Sequence, residues 1–142
     1  MTSTDLCILD ASIAVKCLVD EADSDLARAA LANCTDWTAP DLIFLEVASV
    51  AVKSMRRGWL DRPQAAAMVA ALPRILAEVV PSDELAAAAF QLAADHGFSA
   101  YDAAYLALAI DRKAQMLTAD LKLAERARLA GLGHLVATLR PA

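Results

Sequence analysis

The chain has 142 residues, of which 58% are hydrophobic and 22% are charged. This length suits a single domain over residues 1–142 with a substantial core, and the composition excludes a disordered chain. The net charge of −5 argues against a large non-specific nucleic-acid-binding face, because phosphate contacts require lysine and arginine.

The sequence also indicates in which cellular compartment the protein is found. Segment 1–5 lacks the basic start of a secretory signal, and no uncharged apolar stretch reaches the roughly 20 residues of a membrane span. The three cysteines are odd in number and lack CxxC spacing, which predicts reduced, mostly buried thiols. We therefore expect a cytoplasmic protein without membrane contact.

Short apolar runs alternate with helix-like segments along the whole chain. We predict strands at 6–9, 37–39, 78–80, 115–118 and 135–138, and helices at 12–18, 24–33, 42–57, 82–95, 99–112 and 121–129. A further helix follows Asp61, which forms a capping-box pattern with Gln64. Ser24 and Ser82 are predicted N-caps, and Gly58 is predicted to end the helix at 42–57 in a left-handed conformation.

Continuously apolar strands separated by helices predict an α/β fold with a parallel sheet covered on both faces. In such sheets, ligands bind beyond the carboxyl ends of the strands. Asp10 and Asp120 each follow a predicted strand, and Asp102 lies in the first turn of a predicted helix. These three residues can share one edge of the sheet.

Four acidic residues, Asp10, Glu46, Asp102 and Asp120, lie beside apolar runs, where a charged side chain is unusual. An unpaired carboxylate beside apolar surface costs on the order of several kcal/mol unless a cation compensates it. If the fold brings the four together they repel one another, and a divalent cation is the natural partner. The pattern therefore indicates a metal-dependent phosphoryl-transfer site.

Each of these acids also has a purely structural explanation. Asp10 and Asp120 can cap the helices that follow them by accepting backbone N–H bonds. Asp102 fits a capping box begun by Ser99, and Glu46 can belong to a polar helix face in water. Only convergence of the four residues in space would favour the metal site.

The helix predicted at 42–57 has a narrow polar stripe within an arc of about 100°. The stripe consists of Glu46, Ser49, Lys53, Arg56 and Arg57. Because it is acidic at its start and basic at its end, it would place a ligand near the sheet edge and cations where a phosphate backbone passes. A solvated helix face is the alternative. The apolar remainder is wider than one sheet face needs, so we expect a partner helix, as in a homodimer.

The order of these motifs resembles the PIN-domain family and, within it, the VapC-type toxins of bacterial toxin–antitoxin pairs. The resemblance spans nearly the whole chain. Its most specific part is the stretch YDAAYLALA at 101–109. The other segments that carry it are 8–12, 39–42 leading into Glu46 and Val47, 56–58, and 117–120.

This resemblance implies a three-layer α/β/α sandwich with a short, mostly parallel central sheet. It also implies a Mg²⁺- or Mn²⁺-dependent endoribonuclease that hydrolyses RNA with a metal-activated water. The acidic metal pocket would consist of Asp10, Glu46, Asp102 and Asp120. Small hydroxyl residues beside the pocket, Ser12 and Thr118, would orient its ligands.

Relatives of this kind usually form dimers and are inhibited by a DNA-binding antitoxin whose tail blocks the pocket. The resemblance therefore implies an RNA substrate, a cognate antitoxin and a homodimer. Lys53, Arg56 and Arg57 are candidate contacts for RNA or for the antitoxin.

The choice of catalytic base stays open at this point. Either Asp102 or Glu46 would orient or deprotonate the attacking water. Neither His96 nor His134 is placed for acid–base catalysis, so we do not expect attack by the RNA 2′-hydroxyl.

Three other interpretations compete. A phospho-accepting receiver domain needs an acidic pair after the first strand, where Leu9 precedes Asp10, and a lysine after a late strand. A haloacid-dehalogenase-type phosphatase needs an aspartate where Ser12 stands. The remaining alternative is a PIN-like module that binds RNA or a protein without significant cleavage. The negative net charge favours it, and the four intact acids oppose it.

Overall fold

The computed structural model describes residues 6–140. The prediction about a missing signal in segment 1–5 lies outside this range. The strands are β1 (Leu6–Leu9), β2 (Asp36–Pro40), β3 (Glu78–Val80), β4 (Met116–Thr118) and β5 (Val136–Thr138). The α-helices are α1 (Ala11–Leu18), α2 (Ser24–Ala32), α3 (Ile43–Arg56), α4 (Arg62–Ala71), α5 (Ser82–His96), α6 (Ala100–Arg112) and α7 (Leu121–Leu129). Short 3₁₀ turns follow α4 and precede β5.

The five strands form one sheet in the order β3-β2-β1-β4-β5, and every neighbouring pair is parallel. The prediction of a parallel α/β sheet is confirmed. Because every connection is a crossover through helices, the carboxyl ends of all strands lie along the same edge. The central strand β1 and its neighbour β4 place Asp10 and Asp120 side by side at that edge.

The core lies on both faces of the sheet, because successive strand residues point to opposite sides. Ile8 of β1 packs with residues of α5, α6 and α7, including Leu108 and Leu123. Leu9, the next residue, packs with residues of α1, α3 and α4, including Ile43. All of these side chains are almost fully buried. The result is the three-layer arrangement with helices on both faces of a central sheet.

Two predicted helix caps are wrong, because the serine hydroxyls donate hydrogen bonds to other acceptors. Asp23 holds the N-cap position of α2, and the Ser24 hydroxyl donates to the carbonyl of Val19. Pro81 precedes α5, and the Ser82 hydroxyl donates to the carboxylate of Asp41 instead. Both serines begin their helices without capping them.

Other predicted boundaries differ by a residue or two. Pro40 is the last residue of β2 and pairs with Val80, although the strand was predicted to end before it. Leu135 lies in a 3₁₀ turn and not in β5. The capping box of Asp61 with Gln64 is present, and Gly58 has the expected positive φ of 77°.

The remaining sequence expectations for the core have mixed outcomes. Trp37 is buried, and its indole N–H donates to the carbonyl of Leu31, whereas Trp59 is exposed. Cys7, Cys17 and Cys34 are only partly buried, although we expected mostly buried thiols. No helix between residues 6 and 140 combines the length and the hydrophobicity that crossing a bilayer requires.

Candidate functional site

Asp10 lies at the centre of the candidate site, directly after β1. It occupies the N-cap position of α1 but makes no side-chain capping bond, so the capping explanation does not account for it. Its Oδ2 accepts two hydrogen bonds, from Ser12 Oγ at 2.6 Å and from Thr118 Oγ1 at 2.7 Å. Burial raises the pKa of this carboxyl group, and the charge of Asp120 adds to the effect, while the two hydroxyl groups oppose it.

Ser12 and Thr118 join the ends of β1 and β4. Ser12 Oγ accepts a hydrogen bond from the backbone N–H of Ala119 at 2.9 Å, and Thr118 Oγ1 accepts one from the N–H of Asp120 at 3.0 Å. Each hydroxyl thus donates to Asp10 and accepts from the loop that carries Asp120. This network fixes the orientation of the Asp10 carboxylate relative to that loop.

Glu46 reaches the site from the first turn of α3. It is partly buried, and its Oε1 accepts a 2.6 Å hydrogen bond from the hydroxyl of Tyr105 on α6. Burial raises the pKa of Glu46 to about 7, and the charges of Asp10 and Asp102 add to the effect, while the Tyr105 hydrogen bond opposes it. Glu46 therefore differs from the exposed remainder of its stripe on α3, which does face water.

Asp102 lies in the first turn of α6, as predicted. Its backbone N–H donates to Ser99 Oγ at 3.1 Å, which is one half of the expected capping box. Its carboxylate instead contacts Arg126 of α7, with 3.4 Å between Oδ2 and Nη2. Burial raises the pKa of Asp102, the charge of Asp10 raises it further, and Arg126 opposes the shift.

Asp120 caps α7, so its structural explanation is correct. Its Oδ1 accepts hydrogen bonds from the backbone N–H groups of Lys122 and Leu123, at 3.0 Å and 3.1 Å. Both capping bonds use the same oxygen. Oδ2 is therefore not committed to the helix, and capping is compatible with a role in ligand binding.

The four predicted acids come together at one edge of the sheet. The charge of Asp10 acts on Glu46 and on Asp102, and the charge of Asp120 acts on Asp10 and on Asp102. Like charges held this close destabilise one another, which contributes to the raised pKa values of three of the four groups. The electrostatics of the site therefore favour a cation.

A hard divalent cation fits this donor set, which consists of carboxylate oxygens. Within residues 6–140, however, no three acidic, histidine or cysteine groups already have the spacing of a metal-ligand cluster. The Glu46 carboxylate accepts a hydrogen bond from Tyr105, and the Asp102 carboxylate forms an ion pair with Arg126. One oxygen of each carboxylate is therefore engaged by a protein group. Mg²⁺ is commonly held by one or two carboxylates plus waters, so a preformed trio is not a requirement.

The basic residues singled out in the sequence lie away from the carboxylates. Lys53, Arg56 and Arg57 are exposed at the far end of α3. At roughly 1.5 Å of rise per residue, Lys53 is about 10 Å and Arg56 about 15 Å beyond Glu46 along the helix axis. The Arg57 guanidinium lies over the ring of Trp59, 5.0 Å from its centroid.

Two residues at the site had no assigned role in the sequence interpretation. Tyr105 lies one turn after Asp102 on α6, a spacing that puts both side chains on one helix face and was available as a signal. Arg126 lies in a segment rich in charged residues, where an arginine has the pattern of an ordinary exposed helix residue. No sequence signal distinguished it.

Comparisons with known proteins agree with this geometry. A family model described as PIN domain matches residues 7–129. The chain is 36% identical over 121 residues to Ribonuclease VapC3 of Pyrobaculum aerophilum, covering 84% of this chain and 92% of that protein.

Solved structures share the fold at lower identity. VapBC2 from Rickettsia felis, crystallised with a DNA fragment from its promoter, aligns with a TM-score of 0.67 and 16% identity over 94% of this chain and 98% of that one. VapC20 of Mycobacterium tuberculosis, a toxin that cleaves the sarcin-ricin loop, aligns with a TM-score of 0.59 and 18% identity over 79% and 86% of the two chains. The family match and the extended identity to VapC3 establish that this chain belongs to the PIN-domain family and, within it, to the VapC group.

Proposed function

We propose that this protein is a Mg²⁺- or Mn²⁺-dependent endoribonuclease and the toxin of a toxin–antitoxin pair. The observation that carries the proposal is the meeting of Asp10, Glu46, Asp102 and Asp120 at one edge of the sheet, where their charges act on one another. Its similarity to Ribonuclease VapC3 supports the same activity. We further propose that it acts in the cytoplasm, where its RNA substrate is found.

The metal would be held by Asp10, Asp102, Asp120 and Glu46, with Ser12 and Thr118 fixing the orientation of Asp10. When bound, a divalent cation would offset charge on the phosphate and lower the pKa of a coordinated water. The raised pKa values fit this role, because a cation relieves the repulsion that raises them.

Glu46 is our proposed acceptor of the water's proton. In the metal-free site the pKa of Glu46 is raised to about 7, mainly by burial. A bound cation would relieve the repulsion but not the burial, so Glu46 would remain a stronger base than an exposed glutamate. Tyr105 holds one carboxylate oxygen through its hydroxyl, so the other oxygen of Glu46 can accept the proton. The water oxygen forms a bond to phosphorus, one phosphorus–oxygen ester bond breaks, and the departing oxygen takes up a proton from solvent.

The histidines have no part in this scheme. His96 is exposed at the end of α5, and His134 is exposed in the 3₁₀ turn before β5. His134 lines a cavity together with residues that include Leu6 and Ala109. None of the four acids lines this cavity. Water, and not the RNA 2′-hydroxyl, is therefore the proposed nucleophile.

A homodimer is the assembly we propose, through the apolar surface of α3. Leu45 and Val52 are 77% and 38% exposed, and Trp59 beyond the helix is 68% exposed. An apolar groove beside them runs between α3 and α4, lined by residues that include Met55 and Val69. Val52→Asp should shift the mass measured by light scattering from dimer to monomer, while Leu129→Asp on exposed α7 should not.

A cognate antitoxin is the proposed protein partner, by analogy with VapBC2 of Rickettsia felis, which is a relative at the level of the fold. Co-expression with the neighbouring open reading frame, followed by purification through a tag on this chain, tests the proposal. A stable complex that suppresses RNA cleavage is expected. RNA cleavage that is unchanged by the co-expressed protein, with no complex isolated, would contradict the proposal.

The activity itself is tested by incubating the purified, partner-free protein with total bacterial RNA, with Mg²⁺ or Mn²⁺ and then with EDTA. We expect discrete fragments that require metal and decrease at least about 100-fold in Asp102→Asn. Asp111→Asn, an exposed change on the same helix, is the matched control and should retain activity. Intact RNA despite demonstrated folding and metal binding would favour the alternative of a PIN-like binding module with little catalysis.

A further inference from the structure

An open cleft begins at Asp120 and runs along the exposed side of α7. It is lined by Asp120, Leu121, Lys122, Glu125 and Arg126. Lys122 and Arg126 are four residues apart, so they lie one above the other on the same helix face. Both are exposed. Two positive charges therefore lie along the exposed side of α7 beside the acidic site, and the charge of Glu125 between them is paired with Arg128.

Arg126 is held only loosely by its partner Asp102. A single contact of 3.4 Å joins Nη2 to Oδ2, the longest of the ion pairs found among residues 6–140. By contrast, Arg112 makes two contacts with Glu78, of 2.6 Å and 2.8 Å. The Arg126 side chain is also 51% exposed. Separation of the Arg126 guanidinium from Asp102 therefore costs little free energy.

Asp102 is at the same time one of the carboxylates that would hold the metal. A guanidinium and a dication cannot both lie close to the same carboxylate without repelling each other. Arg126 therefore offsets part of the Asp102 charge in the metal-free pocket, and a bound cation would displace it. Its planar group would then lie at the rim of the pocket, with donors that match the oxygens of a phosphate.

We propose that Arg126 alternates between two partners, the Asp102 carboxylate in the metal-free protein and a backbone phosphate of RNA in the metal-loaded one. This inference rests on the proposed nuclease function and deepens it, because it assigns the path of the RNA to α7. Lys122 continues that path on the same helix face. The basic end of α3 lies about 10–15 Å beyond Glu46 along the helix axis, so the contacts predicted for Lys53, Arg56 and Arg57 with RNA or antitoxin would lie farther from the metal site.

Two measurements on Arg126→Gln test the proposal, with Arg74→Gln as the matched control. Arg74 is an exposed arginine in the 3₁₀ turn that precedes β3, and it therefore lies toward the edge of the sheet opposite to the acidic site. The first measurement is Mn²⁺ binding by calorimetry at about pH 8 without RNA. Arg126→Gln should bind Mn²⁺ about 3-fold more tightly than wild type, because a competing charge is gone.

The second measurement is steady-state RNA cleavage at saturating metal. Arg126→Gln should raise KM about tenfold and change kcat less than about twofold, because a charge-assisted contact to the substrate is lost. Arg74→Gln should match wild type in both measurements. Tighter metal binding combined with weaker RNA binding is a pair of opposite effects that a merely structural arginine would not produce.

The inference and the proposed function fail in different ways. Wild-type cleavage together with unchanged Mn²⁺ affinity and KM in Arg126→Gln would overturn only the inference. Weaker Mn²⁺ binding in the variant would also overturn it, because Arg126 would then be holding Asp102 in place. If wild type cleaves no RNA, binding of a fluorescently labelled single-stranded RNA oligonucleotide is titrated directly by fluorescence anisotropy with Mn²⁺. Equal affinities of wild type and Arg126→Gln for the metal and for RNA would then overturn the inference by itself.

Discussion

The Thr118 hydroxyl of β4 donates a 2.7 Å hydrogen bond to Oδ2 of Asp10, at the end of the neighbouring strand β1. Thr118 is fully buried, and its side chain also accepts the N–H of Asp120. One hydroxyl therefore joins two of the four acids. The parallel pairing of β1 with β4 brings together two residues that are far apart in the sequence.

Replacement of Thr118 by valine keeps the shape of the side chain and removes both hydrogen bonds. We expect the free energy of unfolding to fall by about 1–3 kcal/mol, because buried partners are left unsatisfied. Mn²⁺ should bind at least about tenfold more weakly, since the orientation of Asp10 is lost. Urea denaturation and calorimetry measure the two effects.

Thr138→Val is the control, because Thr138 pairs with Thr118 in the sheet register but donates to the carbonyl of Arg140. It should leave Mn²⁺ binding unchanged. An equal loss of Mn²⁺ affinity in the two variants would show that the effect comes from the sheet and not from Asp10.

Loss of the Tyr105 hydroxyl should change the pH dependence of cleavage. The hydrogen bond from Tyr105 opposes the raised pKa of Glu46, so Tyr105→Phe raises that pKa further. If Glu46 must be ionised to accept a proton, the acidic limb of the kcat/KM profile moves to higher pH, by on the order of one unit. Profiles of wild type and variant measured between about pH 5 and pH 9 test this expectation.

Tyr101→Phe, at an exposed position on the same helix, should reproduce the wild-type profile. If Tyr105→Phe also keeps that profile, Glu46 is not the group whose ionisation limits the reaction. Asp102 would then become the preferred base.

Stability in EDTA should fall as pH rises. The pKa of Glu46 is raised from 4.5 to about 7 in the folded protein, so the folded state binds this proton more tightly than the unfolded chain does. The resulting stabilisation is fully present below pH 4.5 and is lost as pH rises through 7. After allowance for partial exposure, we expect wild type to lose about 1–2 kcal/mol more than Glu46→Gln over this window.

Urea denaturation at several pH values, with EDTA throughout, measures this difference. Glu84→Gln, an exposed change on α5, should follow the wild-type curve. Parallel curves for wild type and Glu46→Gln would mean that Glu46 titrates normally in the folded protein.

The ends of the RNA products should identify the nucleophile. Attack by water leaves no 2′,3′-cyclic phosphate, whereas attack by the 2′-hydroxyl forms one. We expect mass spectrometry of the fragments to show no cyclic ends, and the double variant His96→Ala, His134→Ala to keep kcat within about twofold of wild type. Cyclic ends, or a large loss of kcat in the double variant, would contradict the proposed chemistry.

Much of the fold was predictable because its signals are local. The apolar run before Asp10 is continuous, and its pairing with other apolar runs requires a parallel sheet once helices separate them. The helix cap at Ser24 was predicted wrongly because its hydroxyl donates to a nearby carbonyl, that of Val19 five residues earlier. The cap at Ser82 was predicted wrongly for a non-local reason, because its hydroxyl donates to Asp41 in the turn between β2 and α3.

The candidate site was predictable only in part. Asp10 and Asp120 follow strands, so their common edge follows from the topology. The partners of the carboxylates did not follow from it, because they depend on how helices pack across the sheet. Tyr105 lies within a run of buried apolar residues, and only its spacing of one turn from Asp102 indicated that it faces the site. Arg126 lies on an exposed charged helix, where nothing local distinguishes it from its neighbours.

The most direct test of the four-carboxylate site compares metal occupancy with activity in one titration. Mn²⁺ is added in steps to protein that has been treated with EDTA. At each step, electron paramagnetic resonance measures the amount of bound Mn²⁺, and a parallel assay measures the initial rate of RNA cleavage. We predict that the two curves coincide for wild type and that Asp102→Asn loses both. Cleavage that persists in EDTA, or that survives in a variant unable to bind Mn²⁺, would contradict the account.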